Sequence, residues 1–282
     1  MRYSSKQIQK ALPIQGWVGL LLLAVFWPLN WLLPGMRTDY LFFPLWLGYI
    51  LLVDGLVLRR AGTSLLRRSP RDFCLLFLAS APCWWFFELI NSRTHNWEYV
   101  SEGTMSDLKY YSLCTLSFST VMPAVFETAE LVAGFRWLNR WATGPKAKLK
   151  RGIPIALLFC GLVMIVLVLA WPRLFYPFVW LSVVFILEPI NYWAGKGSLL
   201  ACLGRGDWRP LIALSLGALV CGFFWEMWNY FSLPKWIYHT PGAEFWRVFE
   251  MPLLGYLGYI PFSWELFAFR SLLWPRNPSF RV

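Results

Sequence analysis

Cys83-Trp84-Trp85-Phe86-Phe87-Glu88-Leu89-Ile90-Asn91 is an apolar run interrupted by one carboxylate and one amide. The phrase returns as Cys221-Gly222-Phe223-Phe224-Trp225-Glu226-Met227-Trp228-Asn229, with Cys, Phe, Glu and Asn in register 138 positions later. A carboxylate in or near hydrocarbon is expensive and marks a functional site by default. The i, i+3 spacing puts Glu88 with Asn91, and Glu226 with Asn229, on one helix face. Four, eight and eleven residues before Glu226 stand Gly222, Ala218 and Ser215. A small, polar stripe of that kind faces another helix rather than lipid.

Outward from these phrases, apolar runs of about 20 residues recur along the chain, as membrane-spanning helices require. Of its 282 residues 58% are hydrophobic and only 15% are charged, where soluble domains carry about a quarter charged. The expected fold is all-α: a polytopic membrane helix bundle of about eight transmembrane helices. Its spans lie near 13–33, 39–58, 73–92, 108–136, 152–172, 174–194, 210–230 and 247–272. The first run is too long for a signal-peptide core and has no small-residue cleavage site after it, so no cleavable signal is expected.

The net charge of +11 is an orientation signal. On the eight-span reading, 20 of the 26 Lys and Arg fall on one side. They lie in the N-terminus (Arg2, Lys6, Lys10), in the loops around Arg59–Arg71, Arg136–Arg151 and Lys196–Arg209, and at Arg270, Arg276 and Arg281. The positive-inside rule then places both termini in the cytoplasm and the chain in a cytoplasmic (inner) membrane, with the lipid bilayer as its partner. No basic patch interleaved with stacking aromatics stands on a soluble module, so no nucleic-acid partner is expected.

The second half repeats the first. Trp27-Pro28 matches Trp171-Pro172, Phe42-Phe43-Pro44 matches Phe175-Tyr176-Pro177, and Ser64-Leu65-Leu66 matches Ser198-Leu199-Leu200. Asp54 falls eight residues after Trp46, as Glu188 does after Trp180. Trp97-Glu98-Tyr99 matches Trp236-Ile237-Tyr238, and Pro123 with Glu127 matches Pro261 with Glu265. Four spans per unit, an even number, predict two parallel, same-orientation repeats. The expected units are 12–140 and 153–275, joined by a basic cytoplasmic linker at 141–152. The oligomeric state is not legible.

Glu88, Asn91, Glu127, Glu226, Asn229 and Glu265 are the candidate catalytic residues. Pro123 and Pro261, four residues before two of these acids, predict helix kinks beside them. For any one of these glutamates the plain alternative is a side chain snorkelling to the headgroups. Asp54 and Glu188, near basic loops, suit pairing with arginine as well as function, and Glu130 has no acidic counterpart. Trp85, Trp97, Tyr99, Trp225, Trp236 and Tyr238 are candidate substrate-binding residues. Aromatic walls raise a carboxyl pKa by desolvation and stabilise nearby cations. A protonated glutamic acid there can donate to a carbon–carbon double bond while a second, ionised carboxylate stabilises the cation. The six cysteines read as small apolar fillers. Two histidines are too few for a His-rich metal centre, so neither metal nor cofactor is predicted.

The order acid, W-x-Y, Pro, acid resembles the small membrane-embedded lycopene cyclase domains over about 50 residues in each half. Those domains carry an acidic residue on one helix, W-x-Y/F in a loop and Pro-x-Glu-Glu opening the next helix; here the last motif is Pro-x-x-x-Glu. The resemblance implies a site at the repeat interface, built from Glu88, Glu127, Glu226 and Glu265 and acting on a hydrophobic isoprenoid-like substrate. Cyclisation, isomerisation or hydration of an isoprenoid is one reading. A proton-coupled transporter or channel and a non-catalytic lipid- or pigment-binding subunit are the others.

Overall fold

The computed structural model of the protein describes residues 11–101 and 105–274. The basic residues expected at 2, 6, 10, 276 and 281 lie outside the described residues. The first half runs α1 (Ile14–Leu32), α2 (Thr38–Ala61), α3 (Leu65–Arg68), α4 (Pro70–Thr94), β1 (Trp97–Val100), α5 (Asp107–Phe118) and α6 (Val121–Ala133). The second runs α7 (Gly152–Ala170), α8 (Pro172–Phe175), α9 (Val179–Trp193), α10 (Leu199–Arg205), α11 (Arg209–Tyr230), β2 (Lys235–Tyr238), β3 (Arg247–Val248), β4 (Met251–Pro252) and α12 (Tyr259–Leu273).

Among the described residues, six segments are long and apolar enough to cross a membrane: α1, α2, α4, α7, the run from α8 through α9, and α11. This is an all-α membrane bundle. α1 and α7 turn large apolar side chains such as Leu21, Val25, Phe159 and Val166 outward, as lipid-facing helices do.

Two of the eight expected spans take another form. The span expected at 108–136 is interrupted at Ser119-Thr120, which separates α5 from α6. The span expected at 247–272 opens with the β3–β4 hairpin and a 3-10 turn, which leave α12 only 15 residues. At 1.5 Å per residue, the 13 residues of α6 reach about 20 Å, short of the roughly 30 Å hydrocarbon core. The shortness is tolerated because every residue from 121 to 130 is buried in protein, so its ends need no lipid-facing position. Apolarity alone does not separate a helix sheathed in protein from one sheathed in lipid. Pro123 and Pro261 sit at the third residue of α6 and of α12. There the missing N–H has no helical partner to lose, so each proline starts a helix rather than kinking one.

The two halves share one core. α6 packs on α2 of its own half and on α11 of the other, where Tyr49, Thr128 and Cys221 join hands: Tyr49 Oη is 2.9 Å from Thr128 Oγ1, which is 3.4 Å from Cys221 Sγ. The expected linker is docked rather than free: Gly144 N–H donates to Gly206 O, Ala147 N–H to Leu203 O and Trp208 Nε1 to Pro145 O.

Charge separates by end. Arg60 and Arg68 meet Gly134 and Glu130 at one end. At the other, Arg37 donates to Phe231 O and Arg93 to Leu169 O.

Candidate functional site: an aromatic cavity under a two-stranded ribbon

α4 closes at His95 in a left-handed turn (φ 51°), and the chain re-emerges as β1. Asn91, one turn back, makes that exit. Its Oδ1 accepts from Asn96 N (2.9 Å) and Trp97 N (3.2 Å), and its Nδ2 donates to Trp97 O (2.8 Å). Asn229 repeats the device on α11: its Oδ1 accepts from Trp236 N (2.9 Å) and its Nδ2 donates to Trp236 O (2.7 Å). Both asparagines, listed above as catalytic candidates on their helix face, give their amides to backbone and hold strands.

The strands meet each other. β1 and β2 pair antiparallel, Trp97 opposite Tyr238 and Tyr99 opposite Trp236. Alternation along a strand sends these four rings to one face; Glu98, on the other, is exposed and lies 3.0 Å from His239 Nε2. Beneath the ring face is a cavity of about 490 Å³, within the range of small-molecule sites. Trp97, Tyr99, Trp225, Trp236 and Tyr238 line it, with Trp84, Trp180, Phe262 and Tyr259.

Trp85 is not on the wall. Its Nε1 donates to Thr115 Oγ1 (2.9 Å) on α5. Trp84 takes its place because residues i and i+4 share a helix face, which aligns Trp84 with Glu88 and turns Trp85 away by about 100°.

The glutamates stand behind the wall. Glu88 Oε1 accepts from Tyr99 Oη (2.6 Å), Trp84 Nε1 (2.9 Å) and Trp97 Nε1 (3.0 Å). Glu226, fully buried, accepts on Oε1 from Tyr259 Oη (2.6 Å) and Tyr238 Oη (2.7 Å). Burial first, and then the neighbouring glutamate, hold the phenols of Tyr99 and Tyr238 well above the ordinary tyrosine range. Both therefore remain donors across the physiological range.

Tyr259 is a functional residue that the motif reading missed, and a reciprocal exchange within the chain is the signal for it. At the matched positions 84 and 222 stand Trp and Gly; at 121 and 259 stand Val and Tyr. In the first half the Trp84 indole supplies the donor to Glu88. In the second, Gly222 leaves room for the Tyr259 ring, which a Cβ at 222 would strike. Gly222→Ala is expected to cost about 1–3 kcal/mol by overpacking. Gly222→Trp combined with Tyr259→Val, which rebuilds the first-half arrangement, is expected to melt at a higher temperature than Gly222→Trp alone. An additive or worse double variant in a thermal melt would show that the two positions do not substitute for each other.

Glu127 and Glu265 are elsewhere. Both are fully buried, Glu127 beside Asp54 and Glu265 beside the backbone of Val183 and Val184. Ser80 on α4 bonds Phe118 O and Met122 N, while Trp85 reaches Thr115, so α4 runs antiparallel to α5 and α6. From the Ser80–Met122 level, Glu88 lies eight residues toward the ribbon and Glu127 five residues away from it. At the helical rise they are about 20 Å apart along the bundle. The same count from the Gly222–Tyr259 contact separates Glu226 from Glu265 by about 15 Å. Proton transfer works at hydrogen-bond range, so the expected pairings of Glu88 with Glu127 and of Glu226 with Glu265 do not form. The ribbon brings Glu88 and Glu226 to one cavity instead, and no glutamate lines it directly.

Asp54 and Glu188 do not pair with arginine. Asp54 accepts from Ser64 Oγ (2.9 Å) and Leu66 N (3.1 Å), and Glu188 from Ser198 Oγ (2.8 Å) and Leu200 N (3.1 Å). Each anchors the start of a short helix. The arginine pair belongs to Glu130, whose two oxygens take Arg68 NH1 (2.7 Å) and NH2 (2.6 Å).

No family model, curated protein or solved structure matches this chain.

Proposed function

We propose that this is an integral membrane enzyme of isoprenoid-lipid metabolism that performs acid–base chemistry on an apolar substrate in the cavity beneath the ribbon. The observation that carries this reading is the wall itself: stacked indoles and three phenols whose hydrogens are given to two carboxylates, the half-buried Glu88 and the fully buried Glu226. Indole faces attract positive charge, and phenol oxygens backed by carboxylates do the same. Such a wall favours the cation formed when an isoprenoid double bond takes a proton, as in cyclisation, isomerisation or hydration.

The two acids have different surroundings, which is how one site divides acid from base. Glu88 accepts three hydrogen bonds on Oε1, a setting that suits the base. Glu226, fully buried behind two phenols, suits the acid. Tyr238 and Tyr259 stand between it and the cavity. As the acid, Glu226 passes its proton to the oxygen of either phenol while that phenol's own hydrogen, turned from the carboxyl toward the cavity, goes to the substrate carbon, and Glu226 is left ionised. The cation is then stabilised by the wall, or loses a proton to the Tyr99 oxygen as that phenol passes its own hydrogen to Glu88.

We place the halves in the same orientation, related by an axis along the membrane normal, with α6 and α12 as the short, protein-enclosed fourth passes. The end bearing Arg59–Arg71 and Lys146–Arg151 faces the cytoplasm of a cell with this protein in its inner membrane. The cavity then lies toward the outer leaflet, within reach of membrane lipid.

Lipid extracts of cells with and without the protein are expected to differ in one prenyl species. Its formation should fall by at least about 100-fold in Glu88→Gln/Glu226→Gln, the usual scale of general acid–base catalysis. An unchanged product level in that variant would sink the mechanism. A lipid that co-purifies unaltered, with no product, would mark a binding subunit instead.

A further inference from the structure

The end of the bundle away from the ribbon carries arginines that the fold does not neutralise. Arg59 and Arg60 lie in the last turn of α2, and Arg136 and Arg140 on the 3-10 segment Arg136–Thr143 that follows α6. All four are exposed, and none meets a carboxylate among the described residues. Arg68, by contrast, pairs with Glu130.

Two of the four are held over aromatic rings. The Arg60 guanidinium lies 3.9 Å from the centre of the Phe135 ring, and Arg60 Nε donates to Gly134 O. Arg140 stands 5.9 Å from the centre of the Trp137 ring. Residues i and i+3 eclipse on a 3-10 helix, which brings Arg140 over Trp137. Stacking on a ring engages the plane of a guanidinium and leaves its edge N–H groups to face an anion.

The same two rings form one end of an apolar groove. Phe135 and Trp137 line it with Leu216, Leu219, Val220 and Phe223 of α11, and every residue that lines it is apolar. The four α11 residues are spaced i, i+3, i+4 and i+7, one stripe of a helix face. From Leu216 to Phe223 the stripe runs about 10 Å away from the arginine-bearing end. Val220 and Phe223 are 40% and 44% exposed, so the groove opens sideways from the bundle. Because each ring lines the groove, each guanidinium stands at its rim, no more than a ring away.

We propose that this groove seats an anionic phospholipid, with an acyl chain along the α11 stripe and the headgroup at the end where Phe135 and Trp137 hold Arg60 and Arg140. Hydrocarbon matches the apolar stripe, and a phosphate without a compensating ammonium matches arginines that have no carboxylate of their own. A zwitterionic lipid fits the groove as well but lacks the net charge. The site is separate from the aromatic cavity and does not depend on what that cavity binds.

The test uses the purified full-length protein and two phospholipids with the same acyl chains, phosphatidylglycerol and phosphatidylcholine. Each is titrated in detergent, and bound copies are counted by native mass spectrometry. The first phosphatidylglycerol is expected to bind about 10-fold more tightly than the first phosphatidylcholine, the scale of two arginines at an anionic headgroup. In Arg60→Gln/Arg140→Gln the preference should fall below about 3-fold. Phosphatidylcholine should still bind there, which also reports that the variant is folded. A phosphatidylglycerol with a photoreactive diazirine on one acyl chain should cross-link the wild-type protein on α11 between Leu216 and Phe223. Val220→Trp, which fills the groove, should lose that cross-link. Equal affinity of the wild-type protein for the two lipids would overturn the inference, as would a preference that survives in the glutamine variant. Cross-links that map to other helices, or a two-chain species whose formation keeps lipid out of the groove, would overturn it as well.

Discussion

Asn91→Leu is expected to lower the melting temperature by about 10 °C, although the substitution is nearly neutral in size. The amide makes three hydrogen bonds, to Asn96 N, Trp97 N and Trp97 O, in a setting where Asn91, Asn96 and Trp97 are all buried. Leucine leaves two N–H groups and a carbonyl unpaired, at about 1–3 kcal/mol each. Partial relaxation brings the total to about 3–5 kcal/mol, or roughly 10 °C for a chain of this size. The loss does not stay local. Trp97 and Tyr99 reach Glu88 only because Asn91 fixes where β1 begins, so the proposed chemistry should fall with the melt. Asn91→Asp keeps the acceptor and loses only the donor, so it should fall less far. Asn229→Leu repeats the experiment on α11 with the bonds to Trp236. A thermal melt of the purified protein decides: a shift under about 2 °C in both leucine variants would mean that the asparagines do not hold the ribbon.

Glu130→Ala is the second large effect. Glu130 and Arg68 form a bidentate pair whose side chains are only 6% and 12% exposed. Removing one member of a buried pair costs about 3–5 kcal/mol, because the remaining charge stays desolvated. Replacing both with apolar residues of similar volume is often neutral. Arg68→Met/Glu130→Met should therefore melt close to the wild-type protein, and the double-mutant cycle should show a coupling of at least about 2 kcal/mol. Additive losses would mean that the pair is not a unit. The pair ties α3 to α6, so its rupture should loosen the basic end and spare the ribbon.

The two predictions concern opposite ends of the bundle, and the ends were unequally legible. The W-x-Y strands, the glutamates behind them and the asparagines one turn on were all visible in the repeated phrases, because a duplicated motif carries its own control. The choice of Trp84 over Trp85 was also available from helical spacing, since Trp84 and Glu88 are i, i+4. Tyr259 was available in principle from the Trp–Gly and Val–Tyr exchange, but only once positions 222 and 259 are known to touch.

Other features had no sequence signal. Asp54 and Glu188 lie near arginines in the chain, yet each finds a serine hydroxyl and a backbone N–H ten to twelve residues on. The partner of a carboxylate is set by which loop folds back over it. Glu127 and Glu265 matched at the same offset as Glu88 and Glu226, which invited pairing. An offset along the chain carries no information about depth in the bundle.

The sequence by itself determined that the chain is a bundle of apolar helices. It also marked two matched phrases with an acid, a neighbouring amide and an aromatic W-x-Y segment, because hydrophobic length and helical spacing are local properties. Only the tertiary structure decided that α6 and α12 are short and enclosed and that the asparagines serve the backbone. It alone showed that Glu88 and Glu226 stand behind the two strands of one ribbon while Glu127 and Glu265 lie a further 15–20 Å along the bundle, by the helical rise of about 1.5 Å per residue. Those facts depend on which surfaces cover one another, and burial between distant segments is a property of packing that no local pattern encodes.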